Sequence, residues 1–189
     1  MIIGITGGIG SGKSTIAKAL AQRGYKVYDC DQEAKRIITE NQSVRAAIID
    51  LLGQEAFIGG QYNTAYVAKR VFAQPELLER LNSIVHPQVA ADIIRQQPQF
   101  VESAILYESG LDRLCEKIII VDAPEEIRIA RTLARDYHHE ASVENINKVK
   151  ARIHAQGNYA ADTFLPVLRI QNDGQTPIDE IAEKIAHWM

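Results

Sequence analysis

The stretch Gly4–Thr15, GITGGIGSGKST, constrains the fold of this chain more than any other segment. It overlaps the end of an apolar run, Met1–Thr6, that is typical of a buried strand, and it leads into residues with the apolar spacing of a helix ending at Gly24. A strand, a glycine-rich turn and a helix in this order gather backbone N–H groups and the positive end of a helix dipole, which together bind anions. Gly7–Ser14 matches G-x-x-x-x-G-K-S/T at every fixed position, and we therefore predict a phosphate-binding loop.

Two side chains at the end of this loop carry its predicted chemistry. In loops of this kind the lysine reaches the β- and γ-phosphates of a nucleotide, and the hydroxyl after it completes the coordination of Mg²⁺. We therefore predict that Lys13 is catalytic and that Ser14 is a metal ligand. The alternative, a glycine turn without a ligand, explains neither the Lys-Ser pair nor the strand-to-helix setting.

Composition limits the classes of protein and of partner. The 189 residues are 46% hydrophobic, which is typical of a folded chain with one sizeable core. A net charge of −3 gives no general reason to expect nucleic acid or an anionic membrane as a partner, so we expect small-molecule substrates. We favour a monomer. The sequence shows neither an apolar run of membrane-spanning length nor a signal-peptide pattern, and it contains two cysteines; we expect a cytoplasmic protein with reduced thiols.

The rest of the chain predicts an α/β fold. The strand-like segments YKVYD, FVESAIL, KIIIVD and VLRIQN alternate with helical patterns, which indicates a parallel five-stranded sheet with flanking helices. Residues 44–97 are mostly helical, with breaks expected at Pro75 and Pro87, and we interpret them as a helical insertion. Ligands of such sheets bind at the carboxyl ends of the strands, so GGIGSGKS, DCD, ILYES and DAPEE are expected along one edge.

A row of arginines follows the strand KIIIVD. Arg128, Arg131 and Arg135 are spaced i, i+3, i+7 and share one face of a predicted helix, and further cations including Arg152 follow on the next helix. A helical hairpin that carries arginines can cover a phosphate site and offset its charge. The alternative is a solvated charged face whose arginines pair with neighbouring glutamates.

Carboxylates close to the strand ends are candidates for acid–base chemistry or metal binding. In DCD, Asp29 and Asp31 follow the second strand, where a carboxylate can take the proton of an attacking hydroxyl, hold Mg²⁺ or cap the next helix. Glu102 and Glu108 flank the third strand region, and either could position a metal through water. The alternative for Glu102 is exposure to solvent on an edge strand.

Several segments together resemble one family, the dephospho-CoA kinases. The resemblance covers almost the whole chain, in the order and approximate spacing of that family, through GITGGIGSGKST, DCDQEAK, LNSIVHPQV, SAILYESG, VDAPEEIRIARTLARD and RIQNDG. The HP and NDG segments are its more specific marks. The resemblance implies transfer of the γ-phosphate of ATP to the ribose 3′-hydroxyl of dephospho-CoA, the last step of coenzyme A synthesis.

The resemblance also implies a domain organisation. It predicts one P-loop kinase domain over residues 1–189, with a nucleotide core at 1–43, 98–134 and 157–189. A helical substrate-binding insertion is expected at about 44–97, and a helical lid at about 135–156.

Site residues follow from the resemblance position by position. The predicted acceptor-site residues are Asp31, which would serve the acceptor hydroxyl and is a second candidate ligand for Mg²⁺, together with His86 and Glu108. The residues predicted to bind ATP are Gly8, Ile9, Gly10, Ser11, Gly12, Lys13, Ser14, Thr15, Arg135, Arg152 and Asn172, the last of them near adenine.

Two other functions remain open from the residues alone. A nucleoside or nucleotide kinase would share the sheet, the loop and the lid but accept a different substrate. An NTP-driven switch or assembly factor is disfavoured because the chain lacks the guanine-reading N-K-x-D motif and has an arginine-bearing lid suited to enclosed transfer.

Overall fold

The computed structural model describes residues 1–157, Tyr159 and residues 163–189. The chain forms two compact units, one of Met1–Tyr28 with Pro98–Met189 and one of Asp29–Gln97. Within the described ranges, none of the helices combines the length and the apolar character that crossing a membrane would require.

The helices and strands alternate over most of the chain. In chain order they are β1 (Ile3–Gly7), α1 (Lys13–Gln22), β2 (Val27–Asp29), α2 (Cys30–Glu40), α3 (Gln42–Leu52), β3 (Phe57–Ile58), β4 (Gln61–Tyr62), α4 (Thr64–Ala73), α5 (Pro75–Gln96), β5 (Phe100–Glu102), β6 (Lys117–Asp122), α6 (Glu125–Asp136), α7 (Val143–Ala155), β7 (Val167–Gln171) and α8 (Ile178–Trp188).

The first unit is built on the predicted five-stranded parallel sheet, in the order β2-β5-β1-β6-β7. β1 lies near its centre and is buried along its whole length, with Gly4 paired to Val101 of β5 and to Ile118 of β6. Near-continuous apolar strands such as β6 are typical of parallel sheets, which are covered on both faces. The sheet therefore fixes the position of the loop that leaves β1 at Gly7.

One hydrophobic core holds α1 and α8 against the sheet. Ile16 and Leu20 of α1 and Ile185 of α8 are fully buried in the same cluster as Ile3 and Ile5 of β1. Because α1 is anchored along its apolar face, its first turn is held at the carboxyl end of β1.

The helices α6 and α7 form a helical hairpin, residues Glu125–Ala155, with a small core of its own. Leu133 of α6 packs with Val149 and Ile153 of α7, and all three are buried. Ser142 caps α7, because its side chain accepts a hydrogen bond from the backbone N–H of Asn145 at 3.2 Å. The hairpin is thus an ordered element of the first unit.

The second unit contains α2 to α5 and the short antiparallel pair β3–β4. It begins at Asp29 and includes the range 44–97, for which a helical insertion is predicted; within it, α2 packs against α3 and α5. Asp29 caps α2 by accepting a hydrogen bond from the N–H of Gln32 at 3.0 Å. Helix capping, one of the roles considered for this residue, is therefore confirmed.

The expected helix break at Pro87 is wrong. α5 runs without interruption from Pro75 to Gln96 and includes Pro87 in its interior. Proline removes one backbone hydrogen bond and strains the preceding turn. Here Val85 and Val89, on either side of it, are buried in the unit, and this packing maintains the helix.

Candidate active site

The loop between β1 and α1 has the geometry of a phosphate-binding loop. Gly8 C=O accepts a hydrogen bond from the N–H of Ser11 at 3.0 Å, which closes the first turn of the loop. Gly12, with φ +90°, caps α1 in the left-handed region, which side chains rarely adopt. Lys13 and Ser14 then begin the helix, where backbone N–H groups and the helix dipole favour an anion.

Side chains from other elements hold the carbonyl groups of this loop. Arg128 of α6 donates through Nε to the C=O of Ile9 at 2.8 Å. Asn172, at the end of β7, donates through Nδ2 to the C=O of Ser11 at 2.8 Å, and Arg131 donates through Nη1 to the same oxygen at 3.3 Å. In a trans peptide the C=O of one residue and the N–H of the next point in opposite directions. The hydrogen bonds to the C=O groups of Ile9 and Ser11 therefore direct the N–H groups of Gly10 and Gly12 to the opposite side of the loop.

Two cavities adjoin the loop within the first unit. The first, of about 380 Å³, is lined by Gly10, Gly12, Lys13, Ser14, Thr15, Lys18, Arg131 and Arg135. The second, of about 310 Å³, is lined by Gly12, Thr15, Arg131, Asn172, Gly174, Thr176, Pro177 and Ile178. Because Gly12, Thr15 and Arg131 line both, the two cavities are neighbours, one cationic and the other next to a buried amide.

Glu102 lies directly against the two side chains at the end of the loop. Its Oε1 accepts a hydrogen bond from Ser14 Oγ at 3.3 Å and lies 3.9 Å from Lys13 Nζ. Its carboxylate is a charged group in a residue only 5% exposed, which requires compensation by cations or hydrogen bonds. The suggestion that Glu102 faces solvent on an edge strand is wrong, because β5 lies between β2 and β1 in the sheet.

The predicted lid arginines share one carboxylate. Asp136 accepts a hydrogen bond from Arg135 Nε at 2.6 Å and another from Arg152 Nη1 at 2.7 Å. The hydrogen bond from Arg135, reinforced by that from Arg152, lowers the pKa of Asp136 to about 2. The cationic hairpin therefore carries its own anionic partner, and Arg135 is also part of the lining of the first cavity.

The predicted acceptor residues are distributed over both units. Glu108 follows β5 on an exposed turn of the first unit, where a Cβ added at Gly157 would lie 2.6 Å from its Oε1. In the second unit, Asp31 is exposed in the first turn of α2. His86 is half-buried in α5, and this burial lowers its pKa.

The sheet, the loop and the cationic hairpin define a P-loop kinase, the fold class that the sequence predicts. The chain belongs to the dephospho-CoA kinase family, whose sequence profile, described as dephospho-CoA kinase, matches residues 1–177. The reaction of this family is the ATP-dependent phosphorylation of dephospho-CoA in coenzyme A biosynthesis. The resemblance inferred from the motifs is thereby confirmed, and ATP follows as the phosphate donor.

Individual relatives agree with the family assignment. The dephospho-CoA kinase of Bacteroides fragilis is 36% identical over 194 residues, which cover 97% of this chain and 91% of the relative. That of Porphyromonas gingivalis is 41% identical over 140 residues, 71% of this chain and 69% of the relative. A crystal structure from Thermus thermophilus superimposes with a TM-score of 0.80 at 32% identity, and the match covers 100% of this chain and 96% of that one. Dephospho-CoA kinase from Campylobacter jejuni shares the fold, with a TM-score of 0.65 at 23% identity and coverage of 98% and 95%.

Substitutions at two glycines in the left-handed backbone region can distinguish the effect of crowding at the loop from the effect of backbone strain. Gly12 and Gly24 have φ values of +90° and +89°, but a Cβ at Gly12 would lie 2.2 Å from Asn172 Nδ2, whereas one at Gly24 meets no described heavy atom within 4 Å. An alanine in the left-handed region costs about 1–2 kcal/mol at either position. We expect Gly12→Ala to displace the loop as well and to lower kcat/KM for ATP about 100-fold, the effect of a misplacement near 1 Å.

Thermal unfolding and steady-state kinetics with varied ATP test this expectation, with Gly24→Ala as the matched control. The control should lose stability and keep its kinetic constants. Equal kinetic constants for Gly12→Ala and Gly24→Ala would contradict the role assigned to the contact with Asn172.

Proposed function

We propose that this chain transfers the γ-phosphate of ATP to the ribose 3′-hydroxyl of dephospho-CoA, giving coenzyme A and ADP. The observation that carries the proposal is the phosphate loop, in which Lys13 and Ser14 contact the buried carboxylate of Glu102, in a chain of the dephospho-CoA kinase family. Such a loop supplies backbone and side-chain donors for the phosphates of a nucleotide.

The nucleotide is proposed to lie across the two neighbouring cavities. Its phosphates would occupy the cationic cavity and contact the backbone of residues 8–15, with Lys13 between the β- and γ-phosphates. The base would occupy the cavity beside Asn172. The residues that line each cavity support this placement of phosphates and base. The first cavity presents lysine and arginine side chains, which suit phosphates, whereas the second includes apolar atoms of Pro177 and Ile178, which suit a base.

Cations of the helical hairpin are proposed to act on the transferring phosphoryl group. Charge on its oxygens is offset most strongly by donors that are in place before the reaction. Arg135 already lines the first cavity. Arg135 and Arg152 both donate hydrogen bonds to the carboxylate of Asp136. In this proposal the phosphates of ATP replace Asp136 as the partner of these arginines when the hairpin acts as a lid.

The donor set at the end of the loop fits Mg²⁺. Hydroxyl and carboxylate oxygens are the ligands this ion prefers, and it is usually bound by one or two such groups together with substrate phosphates. Ser14 would hold it directly and Glu102 would orient Ser14, with Asp31 a further candidate ligand. Among the residues that the structure describes, no three His, Cys, Asp or Glu side chains cluster as a metal site. When bound, Mg²⁺ would neutralise charge on the β- and γ-phosphates.

Asp31 is proposed as the group that receives the proton of the acceptor. The hydroxyl oxygen forms a bond to the γ-phosphorus, the bond from that phosphorus to its bridging oxygen breaks, and ADP leaves with the electron pair. The proton moves to the carboxylate, a form of base catalysis available to an exposed aspartate in a helix first turn. His86 and Glu108 are proposed to contact dephospho-CoA, and the second unit to be its principal binding element.

A turnover assay across acceptors tests the proposed reaction. ADP release would be measured with ATP and dephospho-CoA, and in parallel with adenosine, 4′-phosphopantetheine and the common nucleoside monophosphates. We expect turnover with dephospho-CoA, and phosphorus NMR of the product should place the new monoester at the ribose 3′ position. Turnover with one of the other acceptors alone would show that the chain is a kinase of another specificity.

The two aspartates of DCD allow a matched test of the base. Asp31→Asn keeps the size of the side chain and removes its charge, so kcat should fall by about 10²- to 10⁴-fold, the usual contribution of a positioned base. ATP binding and the melting temperature should change little.

Asp29→Asn is the control, because asparagine can still accept the capping hydrogen bond from Gln32. This variant should keep most of its kcat. An Asp31→Asn protein that kept its kcat and melted early would assign Asp31 a structural role, with Glu108 the next candidate base.

A further inference from the structure

Gln156, directly after α7, reaches the first half of the phosphate loop. Its Oε1 accepts a hydrogen bond from the backbone N–H of Ile9 at 2.7 Å. Its Nε2 donates to the C=O of Gly7 at 3.3 Å and to the C=O of Ala104 at 3.5 Å. One side-chain amide thus bridges the two peptides that flank Gly8.

We propose that Gln156 is a positioning residue for phosphoryl transfer, which couples the helical hairpin to the phosphate loop. The coupling follows from peptide geometry. Holding the C=O of Gly7 directs the N–H of Gly8 the opposite way, and holding the N–H of Ile9 fixes the next peptide. The amide therefore determines the direction of the Gly8 N–H, the first donor that the loop can offer to a nucleotide.

A second contact from the hairpin acts on the same residue of the loop. Arg128, which is 8% exposed, donates through Nε to the C=O of Ile9 at 2.8 Å. Both backbone polar groups of Ile9 are therefore bonded to side chains at the hairpin. Its C=O accepts from Arg128 of α6, and its N–H donates to Gln156, the residue that follows α7. A displacement of the hairpin would move Ile9, so lid position and loop geometry are linked.

The competing explanation is that Gln156 only anchors the end of α7. The backbone N–H of Gln156 already caps the helix end, because it donates a hydrogen bond to the C=O of Arg152 at 3.2 Å, independently of the side chain. Truncation of the side chain therefore leaves the helix end capped. This separation makes the side chain testable without loss of the fold.

The experiment compares Gln156→Ala, Gln156→Glu and the control His154→Ala in the full chain. His154 is exposed in the last turn of α7 and pairs with Glu125 of α6, so its truncation removes a side-chain contact of the hairpin that does not involve the loop. The measurements are the melting temperature, the Kd for ATP by calorimetry without acceptor, and kcat with KM for each substrate. Amide hydrogen exchange of Ile9 reports the proposed contact directly.

For Gln156→Ala we expect faster exchange of the Ile9 N–H and a Kd for ATP raised about 5- to 20-fold, as for the loss of one or two neutral hydrogen bonds. kcat should fall as well, while the KM for dephospho-CoA and the melting temperature stay close to those of the wild type. Gln156→Glu keeps the acceptor for Ile9 but replaces the donor to Gly7 and adds a negative charge, so it should weaken ATP binding more than alanine does. His154→Ala should match the wild type.

Unchanged Kd and kcat in Gln156→Ala, or a fall in melting temperature with unchanged Kd, would overturn the inference. The expected fall in kcat rests on the proposed function, whereas the expected rise in the Kd for ATP does not. If wild-type protein binds ATP without phosphorylating dephospho-CoA, the proposed function fails, while a weakened Kd in the variants would still support the role of Gln156.

Discussion

The geometry of the candidate site is set first by the orientation of the peptide groups in the phosphate loop. Side-chain packing fixes a glycine-rich loop only weakly, and its N–H groups can serve an anion only if its carbonyls are held elsewhere. Here Arg128, Arg131 and Asn172 hold those carbonyls from α6 and from the end of β7. The sheet and the hairpin therefore act on function by orienting a backbone and not only by presenting side chains.

A second constraint is electrostatic. The buried carboxylate of Glu102 lies against Lys13 and Ser14, so the lysine and the hydroxyl have a common partner before any phosphate is bound. In the same way Asp136 holds Arg135 and Arg152 together on the hairpin. The two carboxylates hold these cations in position before a nucleotide binds, which is the basis of electrostatic preorganisation.

The parts of this arrangement that could be predicted from sequence are the local ones. The phosphate loop is specified by contiguous residues, and the shared face of Arg128, Arg131 and Arg135 follows from helical spacing, so both were accessible from a single chain. The contacts that this face makes could not be predicted from the sequence. Arg128 and Arg131 donate hydrogen bonds to loop carbonyls, whereas Arg131 and Arg135 line the cavity, where they suit a phosphate contact.

What escaped prediction depends on contacts between distant segments. The role of Glu102 requires knowing that β5 lies inside the sheet, and strand order is not written in any one segment. The contact between Gln156 and Ile9 joins residues 147 positions apart, and a lone glutamine at a helix end carries no local signal. The continuity of α5 through Pro87 was missed because tertiary packing outweighed a local rule that favours a break.

We expect the nucleotide to bind at this loop, held by these side chains. The decisive experiment is a crystal structure of the chain with a non-hydrolysable ATP analogue and Mg²⁺. We expect the triphosphate within residues 8–15, with Lys13 Nζ in hydrogen-bond contact with β- or γ-phosphate oxygens and the base in the cavity beside Asn172. The carbonyls of Ile9 and Ser11 should still be bonded to their present partners. A triphosphate bound away from this loop, or a loop whose carbonyls have left Arg128 and Asn172, would contradict this expectation.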